Sequence, residues 1–222
     1  MLREITGPVG RLEALLDEPR PVRGVDADGL VHNGQPSGVR AAVVLGHPHT
    51  EYGGTMHTKV IYRTAKALNR IGCAVLRINF RGAGASAGTF TGGPGEKDDF
   101  RAALDFLHER YAGAHMWAAG MSFGAWIALS VGADDPRISA LIGIALPAAT
   151  YDWEAVRTSS KPKFFIHGER DELCPLKDMR ELYARAAEPK ELVVIDGADH
   201  LFDGKVSEVA DAIEDLLGDW SG

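Results

Sequence analysis

Cysteine is scarce: only Cys73 and Cys174 occur in 222 residues. Two thiols make no disulfide framework, and the opening Met1-Leu2-Arg3-Glu4-Ile5 becomes charged too early for a secretory h-region. The chain therefore reads as a cytoplasmic protein with reduced thiols. Long apolar runs are missing as well. The longest mostly apolar stretch, Ile138 to Ala149, falls short of the roughly 18 residues a membrane span needs, so no membrane partner is expected. Basic runs are absent from a chain with 31 acidic and 24 basic residues and a net charge of −7, a balance that repels a phosphate backbone. Nucleic acid is not an expected partner. Neither an internal repeat nor a Pro/Gly/Ser linker divides the sequence. At 45% hydrophobic and 25% charged residues, disorder is excluded and residues 1–222 are read as one globular domain.

What is present is an alternation of short apolar runs with amphipathic stretches. The runs are Ala41–Leu45, Cys73–Phe80, His115–Ala119, Ile138–Leu146, Lys163–His167 and Glu191–Ile195. Being short, partly β-branched and bounded by Gly, Pro or Asp, they predict buried strands. Between them Phe100, Ala103, Leu104, Leu107 and Tyr111 follow a helical stripe, repeated by Val206, Val209, Ala210, Ile213 and Leu217 and more weakly by Ile61, Ala65 and Leu68. Strands separated by helix-length segments imply crossover connections and a doubly wound, mainly parallel α/β sheet. The segment up to about Gly38, with its Asn33-Gly34 turn signal, is expected to add antiparallel edge strands.

One segment carries chemistry. Gly120-x-Ser122-x-Gly124 follows a predicted strand, and a helical pattern (Phe123, Trp126, Ile127, Leu129) follows at once. That context fits a nucleophile elbow, where a sharp turn presents the serine hydroxyl above the sheet. A serine nucleophile needs a base, and the base an orienting carboxylate. His200 lies in the loop after Glu191–Ile195, and Asp171 in the loop after Lys163–His167. All three candidates thus stand at carboxyl ends of parallel strands, where open α/β sheets place their sites. Their order Ser122, Asp171, His200, spaced by 49 and 29 residues, is the order such sites use.

Neighbouring residues have plainer readings. Glu169 is a rival for the orienting acid; Asp199, adjacent to His200, is read as a loop cap and Asp203 as the N-cap of the last helix. His47-x-His49 lacks further ligands and is read as lining the site or satisfying loop carbonyls, so no metal is expected. His167 is expected to be hydrogen-bonded at a strand end, and His32, His57, His108 and His115 to be surface or structural residues. Gly82-x-Gly84-x-x-Ala87 mimics a dinucleotide fingerprint, but the next helical pattern begins only near Lys97, which leaves no helix N-terminus for a pyrophosphate; no cofactor is expected. Cys174 lacks an elbow and reads as a packed thiol, Trp126 as core, and Phe123 as a residue that touches substrate.

Taken together the motifs resemble the α/β-hydrolase superfamily from about Ala41 to Phe202. His167-Gly168-x-x-Asp171-x-x-x-Pro175 resembles the family's acid loop, and Asn79-Phe80-Arg81-Gly82-Ala83-Gly84-Ala85-Ser86 its Asp-x-Arg-Gly-x-Gly-x-Ser segment. His47-Pro48-His49 with Gly53-Gly54-Thr55-Met56 looks like the small lidless bacterial serine hydrolases related to carboxylesterases and dienelactone hydrolase. Asn79 replaces a common Asp, Pro48 a common Gly, and Ser122 the cysteine of dienelactone hydrolases; about a dozen residues between Pro147 and Lys161 leave no room for a lid domain. The resemblance implies Ser122, Asp171 and His200 as catalytic residues, with oxyanion donors in the backbone N–H of Phe123 and of His49. The expected function is a carboxylesterase for small or short-acyl esters, with a small ester as partner and a homodimer as an assembly the chain could form. A thioesterase or amidase with the same residues, or a binding module that turns nothing over, are the alternatives.

Overall fold

The computed structural model describes residues 3–19 and 39–220, so that His32 and the expected Asn33-Gly34 turn lie outside the described residues. Among these, the strands are β1 (Glu4–Gly7), β2 (Gly10–Asp17), β3 (Ala41–Gly46), β4 (Ala74–Ile78), β5 (His115–Met121), β6 (Ile138–Ile144), β7 (Lys163–Gly168) and β8 (Lys190–Ile195). They form a single sheet in the order β1-β2-β4-β3-β5-β6-β7-β8. From β4 to β8 every neighbouring pair is parallel, while β1 and β2 are the antiparallel edge expected of the N-terminal segment. The helices are α1 (Lys59–Arg70), α2 (Pro94–Arg110), α3 (Phe123–Asp134), α4 (Glu154–Thr158), α5 (Leu176–Arg185) and α6 (Val206–Leu217).

Both faces of the sheet are covered, which is why the central strands read as unbroken apolar runs. In β3, Ala42 and Val44 join the core built with α2 and α3, while Ala41, Val43 and Leu45 join the core built with α1 and α6. Such burial on two faces removes the alternation that marks a half-exposed strand. The buried stripes of α1 and α6 are those the periodicity predicts, with Ile61, Ala65 and Leu68 on one and Val209, Ala210, Ile213 and Leu217 on the other.

Several boundaries differ from expectation for local reasons. Helix α2 begins at Pro94 rather than near Lys97, because Pro94 occupies its first position and the Glu96 carboxylate accepts the N–H groups of Gly93 (2.7 Å) and Thr91 (2.9 Å). Strand β6 stops at Ile144, since Ala145 adopts φ +49°. Asp203 does not cap α6: the N-cap position is Lys205, and the N–H of Asp203 itself donates to the Asp199 carboxylate. Helices α4 and α5 carry no legible stripe, having one and two buried apolar residues respectively. Helix α4 lies in the short stretch between Pro147 and Lys161, where no lid domain is inserted. No helix among the described residues is long and apolar enough to cross a membrane.

Candidate active site

The turn between β5 and α3 forces Ser122 into φ +54°, ψ −123°. A non-glycine residue rarely adopts this backbone, and it persists only where its surroundings over-determine it. Here they do: the Ser122 N–H donates to Ile144 O at 2.8 Å, while its carbonyl accepts from Ala125 (2.9 Å) and Trp126 (3.2 Å). The flanking glycines are steric requirements. A Cβ on Gly120 would stand 2.2 Å from the carbonyl oxygen of Gly124, and one on Gly124 would stand 2.3 Å from that of His47.

Three loops then converge. Asp171, buried at 4% exposure, stands after β7 in a loop that its own carboxylate folds: one oxygen accepts the N–H groups of Leu173 (3.0 Å) and Cys174 (2.7 Å). Its other oxygen accepts Nδ1–H of His200 at 2.8 Å. The carboxylate has no proton to give, so Nδ1 carries the hydrogen and Nε2 is left as an acceptor, 3.0 Å from the Ser122 hydroxyl oxygen. The structure therefore joins Ser122, His200 and Asp171 in one hydrogen-bonded chain. The rival Glu169 is occupied elsewhere, accepting the Gly197 N–H at 2.8 Å, and Asp199 accepts the N–H groups of Leu201 and Asp203, the loop-capping part expected of it.

Two buried histidines hold the loops that carry these groups. His47 donates Nδ1–H to Pro48 O at 2.6 Å, and its Nε2 accepts the Phe80 N–H at 3.0 Å. Burial lowers its pKa to about 4, so it is neutral at pH 7. The consequence reaches the next residue. In a trans peptide the C=O and N–H of one unit point opposite ways, so a ring that pins the Pro48 carbonyl also aims the His49 N–H. Neither His49 nor Phe123 gives its N–H to any acceptor among the described residues, and the His49 ring stands 5.1 Å from that of Phe123 at the start of α3. His167, near the end of β7, does the same for the loop that follows, donating Nε2–H to Cys174 O at 2.6 Å; burial lowers its pKa too. With both nitrogens taken, His47 has no lone pair for a metal, and the His-x-His pair is not a ligand set.

Cys174 is a packed thiol, pushed up to about 12 by burial. Its sulfur lies with ligand atoms of Asp171 and His200 within 4.8 Å of one another, but those two side chains are already hydrogen-bonded together. The segment after β4 accounts for the unusual Asn79. Its amide oxygen accepts the Met56 N–H at 2.8 Å and its Nδ2 donates to Glu13 of β2 at 2.8 Å, so an aspartate there would face a second carboxylate.

Aromatic rings crowd the α3 side of Ser122. His49 contacts Tyr52, Phe90 and Phe123, and Trp126 stacks on Tyr151 at 4.1 Å and 9°. Phe123 is buried at 1% exposure against Phe90 and His49, and Trp126, expected in the core, is partly buried and packs against it. His57, His108 and His115 are exposed, as expected.

A serine on a strained strand-to-helix turn of a doubly wound sheet, bonded to a histidine and an aspartate from later loops, is the arrangement of an α/β serine hydrolase. Comparison with known proteins agrees. Residues 37–161 match the family described as serine aminopeptidase, S33. Over 185 residues the chain is 39% identical to an uncharacterized protein of Rickettsia prowazekii, covering 79% of this chain and 77% of that one. Among solved structures it is similar to an α/β serine hydrolase homologue from Coxiella burnetii, with 32% identity, 96% of this chain and 95% of that one covered, and a TM-score of 0.83. It is similar also to an α/β serine hydrolase without a lid from Xanthomonas campestris, at 30% identity, 96% and 90% coverage and a TM-score of 0.84. The chain belongs to the serine aminopeptidase S33 family of α/β hydrolases.

Proposed function

We propose that this serine hydrolase is a carboxylesterase for small or short-acyl esters, working through an acyl-enzyme on Ser122. The observation that carries the reading is His200 bridging Ser122 at 3.0 Å and Asp171 at 2.8 Å. In the forward step the Ser122 hydroxyl oxygen bonds to the ester carbonyl carbon as His200 Nε2 takes its proton. Asp171 keeps the imidazole in the required tautomer and stabilises the imidazolium. The carbonyl electron pair moves to the oxygen, which accepts hydrogen bonds from the N–H groups of Phe123 and His49. Collapse breaks the bond to the alcohol oxygen, which leaves with the proton from His200. Water then repeats the sequence on the acyl-enzyme and restores Ser122.

The size preference rests on the packing around α3. Phe123 is buried, and His49, Phe90, Trp126 and Tyr151 each contact its ring, a packing that favours a short acyl chain on that side. The test is hydrolysis of p-nitrophenyl esters from acetate to octanoate, with an aminoacyl p-nitroanilide beside them because the family description names an aminopeptidase. Wild type should turn over the short esters fastest and Ser122→Ala none of them. Faster cleavage of the anilide would replace the esterase reading with an amidase one. Failure of a fluorophosphonate probe to label Ser122 would point to a binding module.

A further inference from the structure

Large apolar side chains in solvent are individually unremarked, but their placement here is not random. Five are exposed among the described residues, and three of them, Tyr52 (87%), Leu173 (74%) and Leu201 (49%), stand on the loops after β3, β7 and β8 that meet at Ser122. The two leucines share a cleft of about 480 Å³ with Arg170, Glu172, Asp199 and His200. The cleft is open to solvent, and its volume is far more than methanol or ethanol would fill.

Chemistry says which part of a substrate goes there. The proton that releases the alcohol comes from His200 Nε2, so the leaving oxygen has to lie within hydrogen-bond reach of that nitrogen. Whatever is bonded to the leaving oxygen then occupies the space beside His200, away from the rings around α3. His200 itself lines the cleft that Leu173 and Leu201 flank. Resting on the esterase reading above, we infer that the cleft of Leu173 and Leu201 is a leaving-group site that selects esters of apolar alcohols or thiols carrying a chain or ring of about four to eight carbons. The acyl part is short and the departing part is the bulky one. Backbone and side chain are separable here: the Leu173 N–H belongs to the fold of the acid loop, donating to Asp171 at 3.0 Å, whereas its side chain is 74% exposed. Replacing the leucine side chains therefore leaves the acid loop intact.

The experiment varies the alcohol at constant acyl group: acetate esters from methyl to hexyl, assayed as monomers below their solubility limits. In the wild type kcat/KM should rise about 10- to 100-fold along the series as methylenes leave water. In the double variant Leu173→Ser, Leu201→Ser the hexyl-to-methyl ratio should collapse to about twofold or less. In a matching series of ethyl esters with lengthening acyl groups, the ratios should be the same in both proteins. A flat alcohol series in a wild type that does hydrolyse esters overturns the inference and leaves the esterase reading standing. A steep series that survives the double substitution also overturns it. So does turnover that appears only above the aggregation concentration of the ester, which would make the leucines a contact with a lipid surface. If no ester is cleaved and the fluorophosphonate probe leaves Ser122 unmodified, the esterase reading falls and the leaving-group site with it.

Discussion

On the α3 side of Ser122 the rings of His49, Phe90, Phe123, Trp126 and Tyr151 lock one another in place and His47 holds the Pro48 carbonyl from beneath; on the His200 side Leu173 and Leu201 stand in solvent around an open cleft. On the proposed esterase reading, the difference follows from what each side would do. Stabilising a developing oxyanion requires donors that do not reorganise, so a loop proposed to offer the His49 N–H would need to be rigid. Accepting different alcohols requires only a surface, and loops supply that with little cost to the scaffold. That reading divides rigid chemistry and adaptable specificity across a single serine.

The comparison can be broken at several points, beginning with what both sides serve. Ser122→Ala should keep the thermal transition of the wild type and lose about 10⁴-fold or more in kcat, because the hydrogen-bonded residues act as a unit. An equal rate in the variant would remove Ser122 from the chemistry.

The next effect falls on the rigid side alone. In the native protein His47 titrates at about 4, against 6.5 for the ordinary side chain. Between those values the unfolded chain binds a proton that the native chain refuses. Stability is therefore fully present above pH 6.5 and drains away as pH falls toward 4, by up to about 3 kcal/mol from this residue, with His167 adding to it in the same direction. Chemical denaturation of wild type and His47→Gln at pH 7 and pH 4.5 should show a smaller acid loss in the variant. Kinetically, His47→Gln should lower kcat about 10- to 100-fold with a smaller change in KM, since a misaimed His49 N–H weakens one transition-state hydrogen bond. A KM effect alone would mean that the loop serves binding.

Exchanging the character of the two sides is a gentler change. Trp126→Ala removes the half-exposed ring stacked on Tyr151, which should raise the octanoate-to-acetate ratio of kcat/KM about tenfold by opening the acyl side. The smallest effect lies behind the site. Asn79→Asp places a carboxylate where Nδ2 now donates to Glu13, and should cost about 1–2 kcal/mol at pH 7 in a denaturation series. The like-charge pair raises one folded pKa, so this loss should shrink as pH falls and a proton returns to the pair.

Much of the scaffold was legible because it depends on near neighbours in the chain. The parallel strands β3 to β8 announce themselves as short apolar runs, and α1, α2 and α6 as stripes, since burial against one sheet imposes its period on the sequence. Helices α4 and α5 were illegible for the same reason, with too few buried residues to make a period. The relative exposure of Phe123 and Trp126 was equally out of reach: both sit on α3 three positions apart, and the loops carrying His49, Phe90 and Tyr151 decide which ring is covered more. Asn79 was visible as a departure from the related segment, but its partner Glu13 comes from β2, 66 residues away.

By itself the sequence determined the doubly wound class, the strained turn at Ser122 and the order of the three loops, because glycine spacing and apolar period are set within a few residues of chain. Tertiary structure alone decided that Glu169 would be occupied by Gly197, that burial would keep His47 neutral, and that the open side of the site would be the side of Leu173 and Leu201. Those outcomes depend on distances between loops separated by tens of residues, and such distances exist only once the sheet has brought the ends of β3, β5, β7 and β8 to one edge.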